Sequence, residues 1–207
     1  FSPKRTGSFV GTLAGERAIQ LGLSADTKFF LGGLDHHIVA VGAGLTSSTQ
    51  ISESTGTVLA CVNYHQGFSP RAGINIAPGL RKEYYFQMAF NENGATALEW
   101  YQKKFAPELS IEELLKMAEG IAPGSDGLKA SPCVDKFESL SGFQNITNKH
   151  SHGHFVRAIL ESTGLSLRDL ICSLDKENVS EVLIASGGGA RSLLWMQIKA
   201  DILNKVF

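Results

Sequence analysis

The feature that most constrains the fold is an apolar run that passes through a glycine-rich loop into a helical pattern. Residues 182–185 (Val-Leu-Ile-Ala) predict a buried strand, residues 186–192 contain three consecutive glycines, and residues 193–203 have helical periodicity. Glycines let a backbone approach a ligand closely, and the first turn of a helix offers unpaired N–H groups. The loop is therefore either a ligand site or a flexible connection. A Rossmann dinucleotide site is disfavoured, because the GxGxxG spacing is absent.

The rest of the chain predicts an α/β domain. Helices are expected at residues 11–23, 35–44, 94–105, 110–117 and 154–175, with a break or close packing at Gly164. Strands are expected at residues 29–31 (buried), 50–53, 57–63, 74–77 and 84–90. Strands followed by alternating helices and strands are typical of a mixed β-sheet with helices packed on it.

Two further short motifs are candidate sites. In the turn Ser54-Thr55-Gly56-Thr57, backbone N–H groups and hydroxyls can surround a phosphate, or the glycine can simply supply the turn's φ angle. In Gly32-Gly33-Leu34-Asp35, the carboxylate comes where a strand gives way to a helix. It either caps that helix or acts as a base toward a substrate hydroxyl.

The order and spacing of these motifs resemble the second half of the FGGY carbohydrate kinases. Residues 32–35 are similar to the segment that carries the family's catalytic Asp, and residues 54–57 to its second phosphate loop. Residues 187–203 resemble the adenosine segment, which is the most specific match. A family signature is matched by Ser141, Phe143, Asn145 and Ile146 and then by residues 154–161, with Asn145 standing where the family usually has Gly.

The resemblance implies an actin-like ATPase (ribonuclease H-like) lobe, an α/β fold with a mixed β-sheet flanked by helices. It implies ATP and Mg²⁺ as cofactors, with Asp35 accepting the proton of a sugar hydroxyl during phosphoryl transfer. It also implies that the phosphates are contacted by Gly56 and Thr57, and that the adenosine pocket is lined by Gly188, Gly189 and Ser192. Ala95 and Glu99 lie where related kinases contact the nucleotide, but Ala95 replaces a usual Gly. No residue is nominated as a metal ligand.

The chain is expected to be one C-terminal ATP-binding lobe over residues 1–207, truncated at both ends and without the N-terminal sugar-binding lobe. It begins at Phe1 and ends where a helix gives way to an apolar Val-Phe pair. The sugar, a pentulose such as xylulose or ribulose ahead of a polyol or aldonate, would be held mainly by the other lobe. The isolated chain is expected to be inactive. The alternative function is a nucleotide-binding module without catalysis.

Composition and charge limit the kinds of partner that the chain is expected to bind. The formal net charge is −1 and the basic residues are scattered, which argues against a nucleic-acid partner. No apolar run approaches the roughly 20 residues that span a bilayer, so no membrane partner is expected. An odd set of widely spaced cysteines (Cys61, Cys133 and Cys172) favours reduced thiols and a cytoplasmic protein. A homodimer stays open, as do the roles of His36 and His37 and of the trio His150, His152 and His154, for which a structural role is favoured over metal binding.

Overall fold

The computed structural model describes residues 4–92, 94–131 and 142–207. In chain order the elements are β1 (Phe9–Thr12), α1 (Gly15–Gln20), β2 (Lys28–Phe30), α2 (Asp35–Gly42), β3 (Gln50–Thr55), β4 (Leu59–Gln66), β5 (Asn75–Pro78), β6 (Tyr84–Asn91), α3 (Thr96–Phe105), α4 (Ile111–Glu119), β7 (Lys129–Ala130), β8 (Phe143–Gln144), α5 (His152–Leu174), β9 (Val182–Ser186) and α6 (Leu193–Leu203). Short 3-10 turns lie at Ser125–Gly127 and Gly188–Arg191.

The centre of the molecule is a five-stranded mixed sheet in the order β5-β6-β4-β3-β9. Strands β3 and β9 are parallel, and the other neighbours are antiparallel. Strand β4 lies in the middle and is buried from Leu59 to Tyr64. The predicted mixed sheet is confirmed.

Alternation along the strands assigns a different core to each face of the sheet. On one face Ile51, Leu59 and Cys61 pack against Leu167 and Ile171 of α5. The opposite face carries α2. There Ala40 and Leu45 pack against side chains of β4 and β6, namely Val62, Tyr64, Phe86 and Met88. A third cluster joins α3, α4, α6 and the first half of α5.

Helix α5 runs through Gly164 without a break, so the close-packing alternative for that glycine is the correct one. A Cβ atom on Gly164 would lie 2.7 Å from Cδ1 of Ile202 in α6. The missing side chain therefore lets the two helices approach each other.

Two predictions for the N-terminal segment were wrong in part. The helix expected at residues 11–23 is only six residues long, because Gly11 and Thr12 belong to β1 and pair with β2. Strand β2 exists where expected but is not buried: Phe29 and Phe30 are 55% and 53% exposed. Strand β2 pairs with β1 in a separate two-stranded sheet outside the main core.

Two strands of the main sheet also differ from expectation. Strand β9 was predicted to be fully buried, but it is the last strand of the sheet and among its residues Leu183 alone is buried. Beyond it, Val182 forms an isolated parallel bridge with Val206. Strand β3 extends to Thr55, which pairs with Leu59, so Ser54 and Thr55 belong to the strand rather than to the turn.

Between α4 and α5, the described residues 120–131 and 142–151 contain one 3-10 turn and two short strands. Strands β7 and β8 pair there at Lys129↔Gln144 and Ala130↔Phe143. Cys133 and Ser141 lie outside the described residues. In the part of the chain that is described, no helix combines the length and the apolar character needed to cross a membrane.

Candidate active site

The ends of two parallel strands bring two of the predicted motifs together. In the register between β3 and β9, Ser54 lies opposite Ser186. The turn at residues 56–58 (the phosphate turn) follows β3, and the loop at residues 187–191 (the glycine loop) follows β9. Because parallel strands end at the same edge of a sheet, the phosphate turn and the glycine loop are neighbours.

Two of the three glycines allow the glycine loop to lie directly against β3. Gly187 has a φ of 82°, and a Cβ atom there would lie 2.9 Å from the carbonyl oxygen of Thr55. A Cβ atom on Gly189 would lie 2.8 Å from Cβ of Thr55. Side chains at either position would push the loop away from the strand.

Gly188 differs from its neighbours. Its φ lies outside the left-handed region, and a Cβ atom built on it meets no atom of the described residues within 4 Å. No described protein atom therefore explains why this position lacks a side chain. Gly56 of the phosphate turn has the same open space on its Cβ side. Glycine at such positions leaves room for a ligand to approach the backbone closely.

Ser192 lies between the glycine loop and α6. It is the N-cap of α6, and its hydroxyl oxygen accepts the backbone N–H of Trp195 at 3.2 Å. Its role toward adenosine stays a prediction.

The phosphate turn is supported by the start of α3. The Gly56 carbonyl accepts the backbone N–H of Ala95 at 2.6 Å, and the Thr57 carbonyl accepts the Thr96 hydroxyl at 3.4 Å. A Cβ atom on Gly94 would lie 2.1 Å from the Gly56 oxygen, so only glycine allows this approach. Thr57 itself is exposed.

Asp35 is the first residue of α2, and the helix N-cap is Leu34. The cap alternative for Asp35 is therefore wrong in its strict form, although a carboxylate in the first turn still favours the helix dipole. Asp35 is exposed, and its Oδ1 accepts the backbone N–H of His36 at 2.8 Å. Among the described residues, no hydrogen bond or ion pair joins Asp35 to the phosphate turn or the glycine loop.

The histidines have structural contacts. His37 is buried, and its ring stacks on Phe86 with centroids 5.0 Å apart. Burial lowers the pKa of His37, and His36 lowers it further while Asp35 opposes the shift, so the ring is held toward its neutral form.

The three alternating histidines point to different partners. Nδ1 of His150 accepts the N–H of Thr147, His152 Nδ1 lies 2.8 Å from the Tyr101 hydroxyl, and Nε2 of His154 lies 3.2 Å from Asp126. Within the described ranges, no group of three or more His, Cys, Asp or Glu side chains could hold a metal ion. The structural role of the trio stays a prediction.

Comparison with known proteins identifies the family. A model described as the FGGY family of carbohydrate kinases, C-terminal domain, matches residues 46–206, which is more than half of the chain. The chain belongs to the FGGY family of carbohydrate kinases. Asp35 lies ahead of the matched residues.

Individual FGGY relatives agree with this assignment. The chain is 31% identical over 206 residues to the xylulose kinase of Bacillus subtilis, covering 94% of this chain and 41% of the relative. It is 31% identical over 210 residues to the L-fuculokinase of Escherichia coli, covering 96% of this chain and 43% of the relative. The chain thus spans about two fifths of the length of these relatives.

A solved FGGY structure confirms the fold. The xylulose kinase of Rhodospirillum rubrum superposes with a TM-score of 0.82 at 26% identity, covering 98% of this chain and 43% of that one. The predicted actin-like ATPase fold, with its mixed sheet flanked by helices, is confirmed. The roles predicted for individual site residues remain predictions.

Three residues that support the site were not predicted from the sequence: Gly94, Glu53 and Lys199. A glycine directly before a helical pattern was the available signal for Gly94. For Lys199 the signal was a charge in a largely apolar helix, α6. The mostly polar sequence of strand β3 gave no signal for Glu53. Both side chains are fully buried, and they form an ion pair with Nζ 2.9 Å from Oε1.

Proposed function

We propose that the protein containing this chain transfers the γ-phosphoryl group of ATP to a hydroxyl of a sugar. This chain would supply the nucleotide-binding lobe and the catalytic carboxylate of Asp35. The observation that carries the proposal is the shared edge of β3 and β9, which places the phosphate turn beside the glycine loop and its open position at Gly188.

The nucleotide would lie across this edge. The glycine loop leads into the N-terminus of α6, whose unpaired N–H groups and dipole favour an anionic or polar ligand. Gly56 and Thr57 would contact the phosphates, with the hydroxyl of the exposed Thr57 as a donor. Gly188, Gly189 and Ser192 would line the adenosine side.

Asp35 would orient the sugar hydroxyl and accept its proton. Phosphoryl transfer depends mainly on positioning and on neutralising charge, so the base would need only to orient the hydroxyl and take its proton. Asp35 is exposed and would be reachable for this role. Mg²⁺ usually binds through one or two carboxylates together with substrate phosphates. In this proposal the ATP phosphates would hold the Mg²⁺ and no residue of this chain is assigned to it, because the Asp35 carboxylate is needed as the base. ATP bound with Mg²⁺ would supply the transferred phosphoryl group.

A pentulose is the favoured sugar class, because a xylulose kinase is among the relatives. Because another relative is an L-fuculokinase, other sugars are also included among the candidate substrates. Because the chain covers about two fifths of each relative, most sugar contacts would come from the rest of the protein. We also propose that the protein acts in the cytoplasm, where the free thiols of Cys61 and Cys172 stay reduced.

The test is a screen of the full-length protein with ATP and Mg²⁺ against a panel of pentuloses, other sugars, polyols and aldonates. ADP release is followed by a coupled assay, with ATP alone as the background control. The proposal predicts ADP release that depends on one sugar class, with a pentulose giving the highest kcat/KM. Nucleotide binding with no turnover on any member of the panel would contradict it and favour the non-catalytic module.

A further inference from the structure

Three polar side chains form a closed hydrogen-bonded triad directly beneath the candidate site. Glu53, Thr55 and Lys199 are each 0% exposed. Nζ of Lys199 donates to Oε1 of Glu53 at 2.9 Å and to Oγ1 of Thr55 at 2.7 Å. Oγ1 of Thr55 in turn donates to Oε2 of Glu53 at 2.8 Å. Each member of the triad is therefore held by both of the others.

The triad lies in the interior beside an aromatic ring and a buried thiol. The Trp195 ring centroid lies 5.3 Å from Nζ of Lys199. Burial raises the pKa of the Cys61 thiol well above its usual value, with the Glu53 carboxylate adding to the shift and Lys199 opposing it. The two charges thus lie in an interior with low polarity.

Stability alone does not account for such a pair. Removing two charges from water costs several kcal/mol per ion, and apolar side chains of similar volume often stabilise a core as well or better. Hydrogen bonds are directional and fix the orientation of the groups that they join, whereas apolar contacts do not. The triad lies where it can orient the phosphate turn and the glycine loop.

Thr55 is the residue on which both ligand segments meet. It immediately precedes Gly56 of the phosphate turn, and Gly187 and Gly189 of the glycine loop pack against its carbonyl and its side chain. An orientation imposed on Thr55 is therefore transmitted to both segments.

Lys199 and Glu53 connect Thr55 to the other two elements of the edge. Lys199 lies on α6, the helix that begins directly after the glycine loop. The backbone carbonyl of Glu53 accepts the Ser186 hydroxyl at the end of β9, at 3.1 Å. The triad thus links the ends of β3 and β9 with α6.

We propose that Glu53, Thr55 and Lys199 are positioning residues that hold the phosphate turn and the glycine loop at the spacing that ATP requires. They touch neither substrate nor nucleotide and act through Thr55. This inference rests on the proposed function, since it assumes that the two segments bind one nucleotide.

The decisive variant is Thr55→Val in the full-length protein. Valine keeps the β-branched shape that packs against Gly189 but removes the hydroxyl at the centre of the triad. The variant loses two hydrogen bonds to charged groups, one to Lys199 and one to Glu53. We expect the affinity for ATP with Mg²⁺, measured by titration calorimetry, to fall by at least about tenfold, the factor that corresponds to one such bond. The KM for the sugar should stay at the wild-type value.

Two further variants separate positioning from a loss of packing. Thr163→Val is the matched control, because Thr163 is also buried and its hydroxyl donates only within α5, to the Ile159 carbonyl at 3.0 Å. It should leave ATP affinity unchanged. Thr55→Ser restores the hydroxyl without the methyl group and should recover most of the affinity.

A double variant keeps the inference testable if Thr55→Val does not fold. Glu53→Leu with Lys199→Met leaves no buried charge unpaired, so the fold should be retained. It should nevertheless lose ATP affinity selectively, because Thr55 has lost both partners. Wild-type ATP affinity in Thr55→Val or in the double variant would overturn the inference, as would equal losses of ATP and sugar affinity.

The calorimetric measurement separates this inference from the proposed function. A wild-type protein that binds ATP but phosphorylates no sugar contradicts the proposed function, while the ATP affinities of the variants still decide the role of the triad. A wild-type protein that binds no ATP contradicts both.

Discussion

At the scale of single residues, the positions of the glycine loop differ in whether they can accept a side chain. Gly187 and Gly189 lie against Thr55 of β3, where added side chains would displace the loop. Gly188 has free space on its Cβ side. A substitution there tests ligand binding without disturbing the packing.

We predict that Gly188→Val in the full-length protein raises the KM for ATP far more than the KM for the sugar. The valine side chain would occupy the space that the nucleotide needs, while the melting temperature should change little. Gly189→Val is the contrasting variant, and it should lower the melting temperature because its Cβ atom would collide with Thr55. Equal changes of both KM values in Gly188→Val, or no change, would identify a purely structural loop.

At the scale of elements, the sequence predicted those strands and helices whose signals lie next to each other in the chain. The sequence from β9 through the glycine loop to α6 was predicted closely, because an apolar run, glycines and helical periodicity are adjacent in the chain. The ion pair between Glu53 and Lys199 was not predicted. Its partners are 146 residues apart, and only the packing of α6 on the sheet brings them together.

In the N-terminal segment, by contrast, the sequence predicted more regular and more buried structure than the chain forms. Its apolar residues predicted a longer helix and a buried strand, but Ile19 and Phe29 are exposed among the described residues. Periodicity indicates which face of an element is apolar, and the partner that covers that face must come from tertiary structure. Asp35 follows this segment as the first residue of α2.

Helix α5 provides a matched pair of glycines with different neighbours. A Cβ atom on Gly153 would lie 2.5 Å from the Met117 backbone oxygen, whereas one on Gly164 would meet the movable end of the Ile202 side chain. We predict that Gly153→Ala lowers the free energy of unfolding by about 1–3 kcal/mol, the usual cost of overpacking. Gly164→Ala should stay within about 1 kcal/mol of wild type, because the higher helix propensity of alanine offsets the strain.

Denaturant unfolding of both variants measures this difference. The order of the two stabilities is the critical result. A Gly164→Ala protein less stable than Gly153→Ala would show that the α5–α6 contact, rather than the α4–α5 contact, is the rigid one.

At the scale of the whole molecule, the chain spans about two fifths of the length of its relatives. It covers 41% of the Bacillus subtilis xylulose kinase and 43% of the Rhodospirillum rubrum structure. Catalysis by positioning requires reacting groups held about 3–3.5 Å apart. Under the proposed function, those groups are contributed by two lobes.

We therefore predict that the 207-residue chain by itself has no sugar kinase activity with any member of the sugar panel. The measurement is ADP release with ATP and Mg²⁺ at high chain concentration, with the full-length protein as the positive control. Steady ADP release that requires both a sugar and the isolated chain would contradict the two-lobe account.

The role of Asp35 is the central claim, and Asp35→Asn in the full-length protein tests it most directly. The amide keeps the shape and the hydrogen bond to His36 but cannot accept the hydroxyl proton. Glu112→Gln is the matched control, since Glu112 is an exposed acidic residue in the first turn of another helix, α4. We predict that kcat falls by about 10²–10⁴-fold in Asp35→Asn, while ATP affinity and the melting temperature stay near wild type and Glu112→Gln keeps full activity. An Asp35→Asn enzyme that retains more than about a tenth of the wild-type kcat would contradict the account and leave Asp35 with a role in its helix alone.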